Sequence, residues 1–162
     1  MSEKICVVPG AFDPVTNGHL DVIERAGKLF DKIYVVSFDN AEKKYMFNPE
    51  ERLEMLRLAC LGLDNVIVDA SSDLVAEYAK SKDADFLIKG VRGMMDYDYE
   101  YQLYLINREI GGNIETILFP AKNEHLYISS TFVREMIRYK RDISAYVPHK
   151  VADFIESIEN GV

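Results

Sequence analysis

Basic charge is scarce in this chain: 19 lysines and arginines stand against 27 aspartates and glutamates, a net charge of −8. That balance excludes a nucleic-acid polymer as the expected partner, because proteins that bind one carry a basic face. It leaves room for a small anion, since a few converging cations can hold a phosphate on an acidic molecule. Cysteine is equally scarce. Cys6 and Cys60 lie in apolar surroundings and form no C-x-x-C pair, so they read as buried reduced thiols. No apolar run approaches the roughly 20 residues that span a bilayer. The opening MSEKICVV lacks the apolar region and small-residue cleavage site of a signal peptide, and the expectation is a cytoplasmic protein without membrane contact. There is no H-x-x-x-H or cysteine cluster, so no metal site built from side chains is expected. No convincing Ser–His–Asp or Cys–His arrangement offers a protein nucleophile. The first turn lacks G-x-G-x-x-G, which argues against a dinucleotide-dependent dehydrogenase. With no repeat, low-complexity stretch or linker, the 162 residues are expected to form one domain, 1–162.

What the chain does have is alternation. Short, nearly continuous apolar runs stand at 4–8, 32–38, 65–70, 85–90 and 115–120. They lack a polar face, as expected of strands covered on both sides. Helical spacing fills the gaps: Leu20, Ile23, Gly27 and Phe30; Leu53, Leu56, Cys60 and Leu63; Leu74, Val75, Tyr78 and Ala79. Three further stripes follow: Tyr97, Tyr101, Tyr104 and Leu105; Phe132, Val133, Met136 and Ile137; Val151, Phe154, Ile155 and Ile158. Pro49 and Pro148 stand where a first helical turn tolerates proline. The pattern predicts an α/β fold, a doubly wound five-stranded parallel sheet with helices on both faces and right-handed crossovers. In such sheets ligands gather beyond the carboxyl ends of the strands.

Three of the loops at that edge carry unusual chemistry. PGAFDPVTNGH, after the first strand, holds Gly10, Gly18 and an Asp13-Pro14 turn signal. Thr16 or Asn17 can cap the helix that follows, His19 falls in its first turn, and a helix start suits phosphate. The glycines would let a ligand approach the backbone. KGVR, after the fourth strand, places Lys89 and Arg92 around Gly90. YISST, after the fifth, gathers Ser129, Ser130 and Thr131 at a helix start, with Glu135 a helical neighbour. Read alone, these are an exposed turn histidine, two solvated cations and a helix cap. Lys43 and Lys44, after the second strand, read alone as loop lysines.

Together the motifs resemble a known family. Thr16-Asn17-Gly18-His19 is similar to the T-x-G-H form of the signature of the HIGH nucleotidyltransferase superfamily. The longer PGAFDPVTNGH, with MF-x-x-EER, KGVR and YISST in order after successive strands, resembles the phosphopantetheine adenylyltransferases from Pro9 to about Pro148. The resemblance implies a Rossmann-like nucleotidyltransferase fold and transfer of adenylyl from ATP to 4′-phosphopantetheine, giving dephospho-coenzyme A and pyrophosphate. It implies His19 and Lys43 as catalytic residues. ATP contacts would come from Ala11, Phe12, His19, Gly90, Val91, Arg92 and Glu100, and from His125, Leu126, Tyr127, Ile128, Ser129, Ser130 and Thr131. The acceptor would be held by Ala11, Lys43, Val75 and Lys89. Asp96 and Asp98 read as helix-start electrostatics and the nearby tyrosines as packing. Magnesium is implied as the counterion of ATP, coenzyme A as a feedback ligand, and a homohexamer as the assembly. Two positions depart from the family pattern: Ala11 replaces a hydroxyl-bearing residue, and Lys89 replaces an arginine. Other acceptors, nicotinamide mononucleotide or an alcohol phosphate, and a non-catalytic nucleotide-binding module are the competing readings.

Overall fold

A computed structural model describes residues 3–161. Five strands, β1 (Ile5–Gly10), β2 (Lys32–Phe38), β3 (Val66–Ser71), β4 (Phe86–Val91) and β5 (Glu115–Pro120), form one parallel sheet in the order β3-β2-β1-β4-β5. The order reverses between β1 and β4. There the pairing is short: β1 is in register with β2 from Ile5 to Gly10, but meets β4 only at Cys6–Phe86 and Val7–Leu87. Beyond those pairs the two central strands part, and the resulting crevice lies where a doubly wound sheet receives its ligand.

The connecting helices are α1 (Asn17–Ala26), α2 (Pro49–Ala59), α3 (Val75–Ser81), α4 (Met94–Gly111), α5 (Ser130–Arg138) and α6 (His149–Glu159), with a 3₁₀ turn at Asn123–His125. Side chains of successive strand residues leave opposite faces, and both faces are covered. On one, Cys6, Val8, Ile33, Val35 and Ile88 pack against Ile23, Met55, Leu56, Val133, Val151 and Ile155 from α1, α2, α5 and α6. On the other, Val7, Val36 and Leu87 meet Ala76, Tyr78 and Ala79 of α3. The double coverage explains the apolar runs. Both cysteines are free and buried. Their thiols are raised by burial, Cys6 to about 12 and Cys60 to about 11, which leaves them unreactive. Among the described residues no helix is long and apolar enough to cross a membrane.

Three local expectations change. The helix read from Leu20 to Phe30 ends at Ala26, and Phe30 packs on the core from the following loop. Pro148 is the residue before α6 rather than part of its first turn. The stripe on α4 is not core: Tyr97, Tyr101 and Leu105 are exposed, and Glu100 is the only buried residue of that helix.

Candidate active site

The first loop is shaped from its own residues. Phe12 has a φ of 51°, a left-handed conformation unusual for a bulky side chain, and such strain concentrates at functional sites. Its buried ring lies over Gly10, where a Cβ would come within 3.0 Å of Cζ. A side chain at position 10 would therefore crowd the Phe12 ring, and Gly10 also lies on the wall of the cleft described below. At Gly18 a Cβ would meet only Thr16 Oγ1 at 3.5 Å and His125 Cβ at 3.8 Å.

Thr16 is the N-cap of α1, and its hydroxyl accepts from the His19 main-chain N–H at 3.3 Å. In return the Thr16 N–H donates to Nδ1 of His19 at 3.0 Å. This is a capping box with histidine in the place usually held by Glu or Gln. It has a chemical consequence. A main-chain N–H can only donate, so Nδ1 is an acceptor and the neutral ring carries its proton on Nε2. Burial, followed by the charges of Lys89 and Arg92, pulls the imidazole pKa down from 6.5 to about 4. At neutral pH His19 is an uncharged donor with a fixed tautomer. The Phe12 ring meets it edge-on, 5.0 Å between centroids, which restricts the imidazole further.

That shift has a measurable sign. Between pH 6.5 and about 4 the unfolded chain takes up a proton that folded His19 refuses. The contribution to stability is intact above that window and lost as pH falls through it. The urea midpoint of the parent should therefore drop more steeply across this window than that of His19→Gln. Parallel curves would show that the ring titrates normally.

Around His19 the starts of α1 and α5 and the loop from β4 into α4 converge on a cleft of about 380 Å³, a size usual for small-molecule sites. Ala11, Phe12, Lys89, Gly90, Val91, Arg92, Glu100, His125, Ile128, Ser129, Ser130 and Thr131 line it with His19. Lys89 Nζ lies 3.2 Å from Glu100, and Arg92 is clamped by Asp96, whose Oδ2 accepts from its main-chain N–H at 2.9 Å and from Nε at 3.0 Å. The cations are thus held by carboxylates at the cleft edge. Leu126 and Tyr127 lie outside this wall; Leu126 is exposed, and the Tyr127 ring packs edge-on against Phe132 and Tyr146.

Donors at the helix starts are fewer than the sequence implied. In α1 the Asn17 N–H donates to the Tyr146 carbonyl and the His19 N–H to Thr16, which leaves Gly18. In α5 the Ser129 hydroxyl caps the Phe132 N–H, the Ser130 hydroxyl donates to the Pro14 carbonyl at 2.8 Å, and Thr131 Oγ1 accepts from Arg134. The hydroxyls hold the scaffold, and the Ser130 and Thr131 main-chain N–H groups lie at the start of α5 on the cleft wall, a position that suits an anion. Nδ1 of His125 is buried in the cleft wall with no partner among the described residues.

A second cleft, about 590 Å³, lies beside the first and holds Lys43 and Val75. The two clefts share Pro9, Gly10, Ala11, Lys89 and Glu100. Lys43 lines the second and not the first, and Ala11 belongs to the wall the two clefts share. Among the described residues no group of three or more metal-ligating side chains is placed to hold an ion.

Sequence reasoning missed the residues that fasten these loops. Asp13 is more than half of a turn signal: its buried carboxylate accepts from the Met46 and Phe47 N–H groups, both at 2.9 Å. Arg134 donates to the Asp13 carbonyl at 2.7 Å. Arg52, inside the quoted MF-x-x-EER motif, was assigned no role, yet it reaches the Ala11 carbonyl at 3.0 Å.

Comparison with known proteins agrees with this architecture. The chain has the fold of a protein described as a nicotinate-nucleotide adenylyltransferase from Vibrio parahaemolyticus, with a TM-score of 0.72 and 21% identity over 99% of this chain and 94% of that one. Residues 7–136, from β1 through most of α5, match the cytidylyltransferase-like family. That stretch contains every loop of the two clefts, and the chain belongs to the cytidylyltransferase-like family of nucleotidyltransferases.

Proposed function

We propose that the chain transfers adenylyl from ATP to 4′-phosphopantetheine, releasing pyrophosphate and forming dephospho-coenzyme A. The observation that carries this reading is the pair of clefts meeting at Ala11, Lys89 and Glu100. One side supplies a fixed imidazole donor, two cations and free helix-start N–H groups, which suit a triphosphate. The other is larger and mixed in character, with Leu74, Val75, Leu103 and Ile106 beside Asn107, which suits an arm of amide and alkyl groups ending in phosphate.

The acceptor oxygen forms a bond to the α-phosphorus as the bond to the bridging oxygen of pyrophosphate breaks. A phosphate monoester has its second pKa near 6 and is largely dianionic at neutral pH, so no general base is needed. The task is to bring anions together and bear the charge on the crowded phosphorus. His19 Nε2–H donates to the α-phosphate. Lys43 aligns the acceptor phosphate from the second cleft. Arg92 and the start of α5 hold the β- and γ-phosphates, and Lys89, on the wall common to both clefts, faces the acceptor phosphate. A magnesium ion bound to the triphosphate would add charge neutralisation there. The exposed α4 face, with Met94, Met95, Tyr97 and Tyr101, is the surface through which copies would assemble into a hexamer.

Ala11 offers a local check. Its side-chain position lies on the shared wall, so Ala11→Thr should bind the acceptor as well as the parent or better, within a few-fold by calorimetry. Loss of binding would mean the loop has no room for a hydroxyl.

The activity is tested by pyrophosphate release from ATP and from CTP, each with phosphopantetheine, nicotinate mononucleotide, nicotinamide mononucleotide and an alcohol phosphate. ATP with phosphopantetheine should be preferred. Preference for a mononucleotide acceptor would favour the chemistry named for the structural neighbour. Tight ATP binding without turnover for any acceptor would favour a nucleotide-binding module.

A further inference from the structure

Under the wall common to both clefts lies a charge that the reaction does not touch. Arg52 of α2 is fully buried. Its Nη1 donates to the Ala11 carbonyl at 3.0 Å and to Ser37 Oγ at 3.3 Å, and its Nη2 pairs with Asp39 at 2.6 Å. The guanidinium lies 3.9 Å over the Tyr45 ring, and Nε is buried without a partner among the described residues. A buried ion is weak support for stability, because an apolar side chain of similar volume serves as well or better. The orphaned Nε–H makes the arrangement costlier still. Stability alone does not account for Arg52.

Its contacts have placement in common. The Ala11 oxygen accepts from Ser37 Oγ at 3.3 Å as well as from Arg52, and two buried donors fix that peptide plane. In a trans peptide the N–H points opposite to the C=O, so the Phe12 N–H is turned away from Arg52. Among the described residues it donates to no protein acceptor. The left-handed φ of 51° at Phe12 is a conformation that needs such enforcement. On its other side the same guanidinium grips Asp39 and Tyr45. Tyr45 Oη accepts from the Asn40 N–H at 3.0 Å, and the Asn40 carbonyl accepts from the Lys43 N–H at 2.9 Å. One buried cation therefore fastens the Ala11 peptide and both ends of the Lys43 loop.

We propose that Arg52 is a positioning residue: it aims the Phe12 N–H at a phosphate oxygen in the first cleft while holding Lys43 in the second, so that nucleotide and acceptor are registered against one another. The inference rests on the nucleotidyl-transfer reading above. It gains weight from Ala11, because a loop without a hydroxyl there depends on main-chain donors.

The test compares the parent with Arg52→Met, which fills the space without a donor, Arg52→Lys, and Ser37→Ala, which removes one of the two donors to Ala11. Three quantities are read: melting temperature, kcat and KM for each substrate, and the ¹⁵N–¹H shift of the Phe12 amide on titration with ATP. Arg52→Met should melt close to the parent, lose between about 10- and 100-fold in kcat, and lose the Phe12 shift. Arg52→Lys should recover part of the kcat, and Ser37→Ala should show a smaller fall with an unchanged melt. A folded Arg52→Met with parental kcat and a parental Phe12 shift overturns the proposal. Should Arg52→Met not fold, parental kcat and shift in Ser37→Ala overturn it. If the parent itself releases no pyrophosphate but its Phe12 shift vanishes in Arg52→Met, the reaction reading fails while the positioning role stands.

Discussion

His19→Ala should keep the fold and the affinity for ATP and lose about 10²–10³-fold in kcat, the usual effect of removing one donor to a transition-state oxygen. The capping box makes this expectation specific. His19 serves two ends: Nδ1 accepts from the Thr16 N–H, and Nε2–H is left for a ligand. Removing the ring leaves one N-cap amide without its partner, worth on the order of 1 kcal/mol of stability. Glutamine at the same position is a standard capping-box residue and should restore that stability. It should not restore turnover, because its amide is not held at the place of the imidazole Nε2. Parental melting with lost turnover in His19→Gln separates the two roles. Turnover of either variant within a few-fold of the parent would end the part given to His19.

Asp13→Ala should be the most damaging single change to the scaffold. The carboxylate is buried and accepts from two main-chain N–H groups, Met46 and Phe47. It also lies 3.7 Å from Arg134 Nη1. Truncation strands one buried and one partly buried donor together with a half-buried guanidinium, a cost of about 3–5 kcal/mol. For a chain of this size that lowers the melting temperature by on the order of 10 °C. Asp13→Asn keeps one acceptor oxygen and should fall between the two. The loss in activity should exceed what the melt alone explains, since Asp13 joins the first loop to the segment leading into α2. A melting temperature within about 2 °C of the parent would contradict this account of the loops.

The sheet was legible because its strands are buried on both sides and so appear as unbroken apolar runs; the spans read from residues 32–38 and 115–120 are those of β2 and β5. The clefts were legible as an edge, since parallel strands put every following loop on one rim. Hydrogen bonds that join distant segments were not. Nothing near Asp13-Pro14 reveals that its carboxylate serves Met46 and Phe47, and nothing in the EER run reveals that Arg52 reaches Ala11. The α4 stripe misled because helical spacing reports an apolar face without saying what covers it; Tyr97 and Tyr101 stack on each other at 6.1 Å and stay exposed. One missed feature did leave a signal. Thr16 and His19 stand at the i, i+3 spacing of a capping box, which would have given the imidazole tautomer before any coordinates.

The most direct test is a crystal structure with a non-hydrolysable ATP analogue. An α-phosphate oxygen should lie within hydrogen-bond distance of His19 Nε2, with the outer phosphates between Arg92 and the Ser130 and Thr131 N–H groups. A nucleotide seated in the cleft of Lys43, or one that leaves Nε2 untouched, would contradict it.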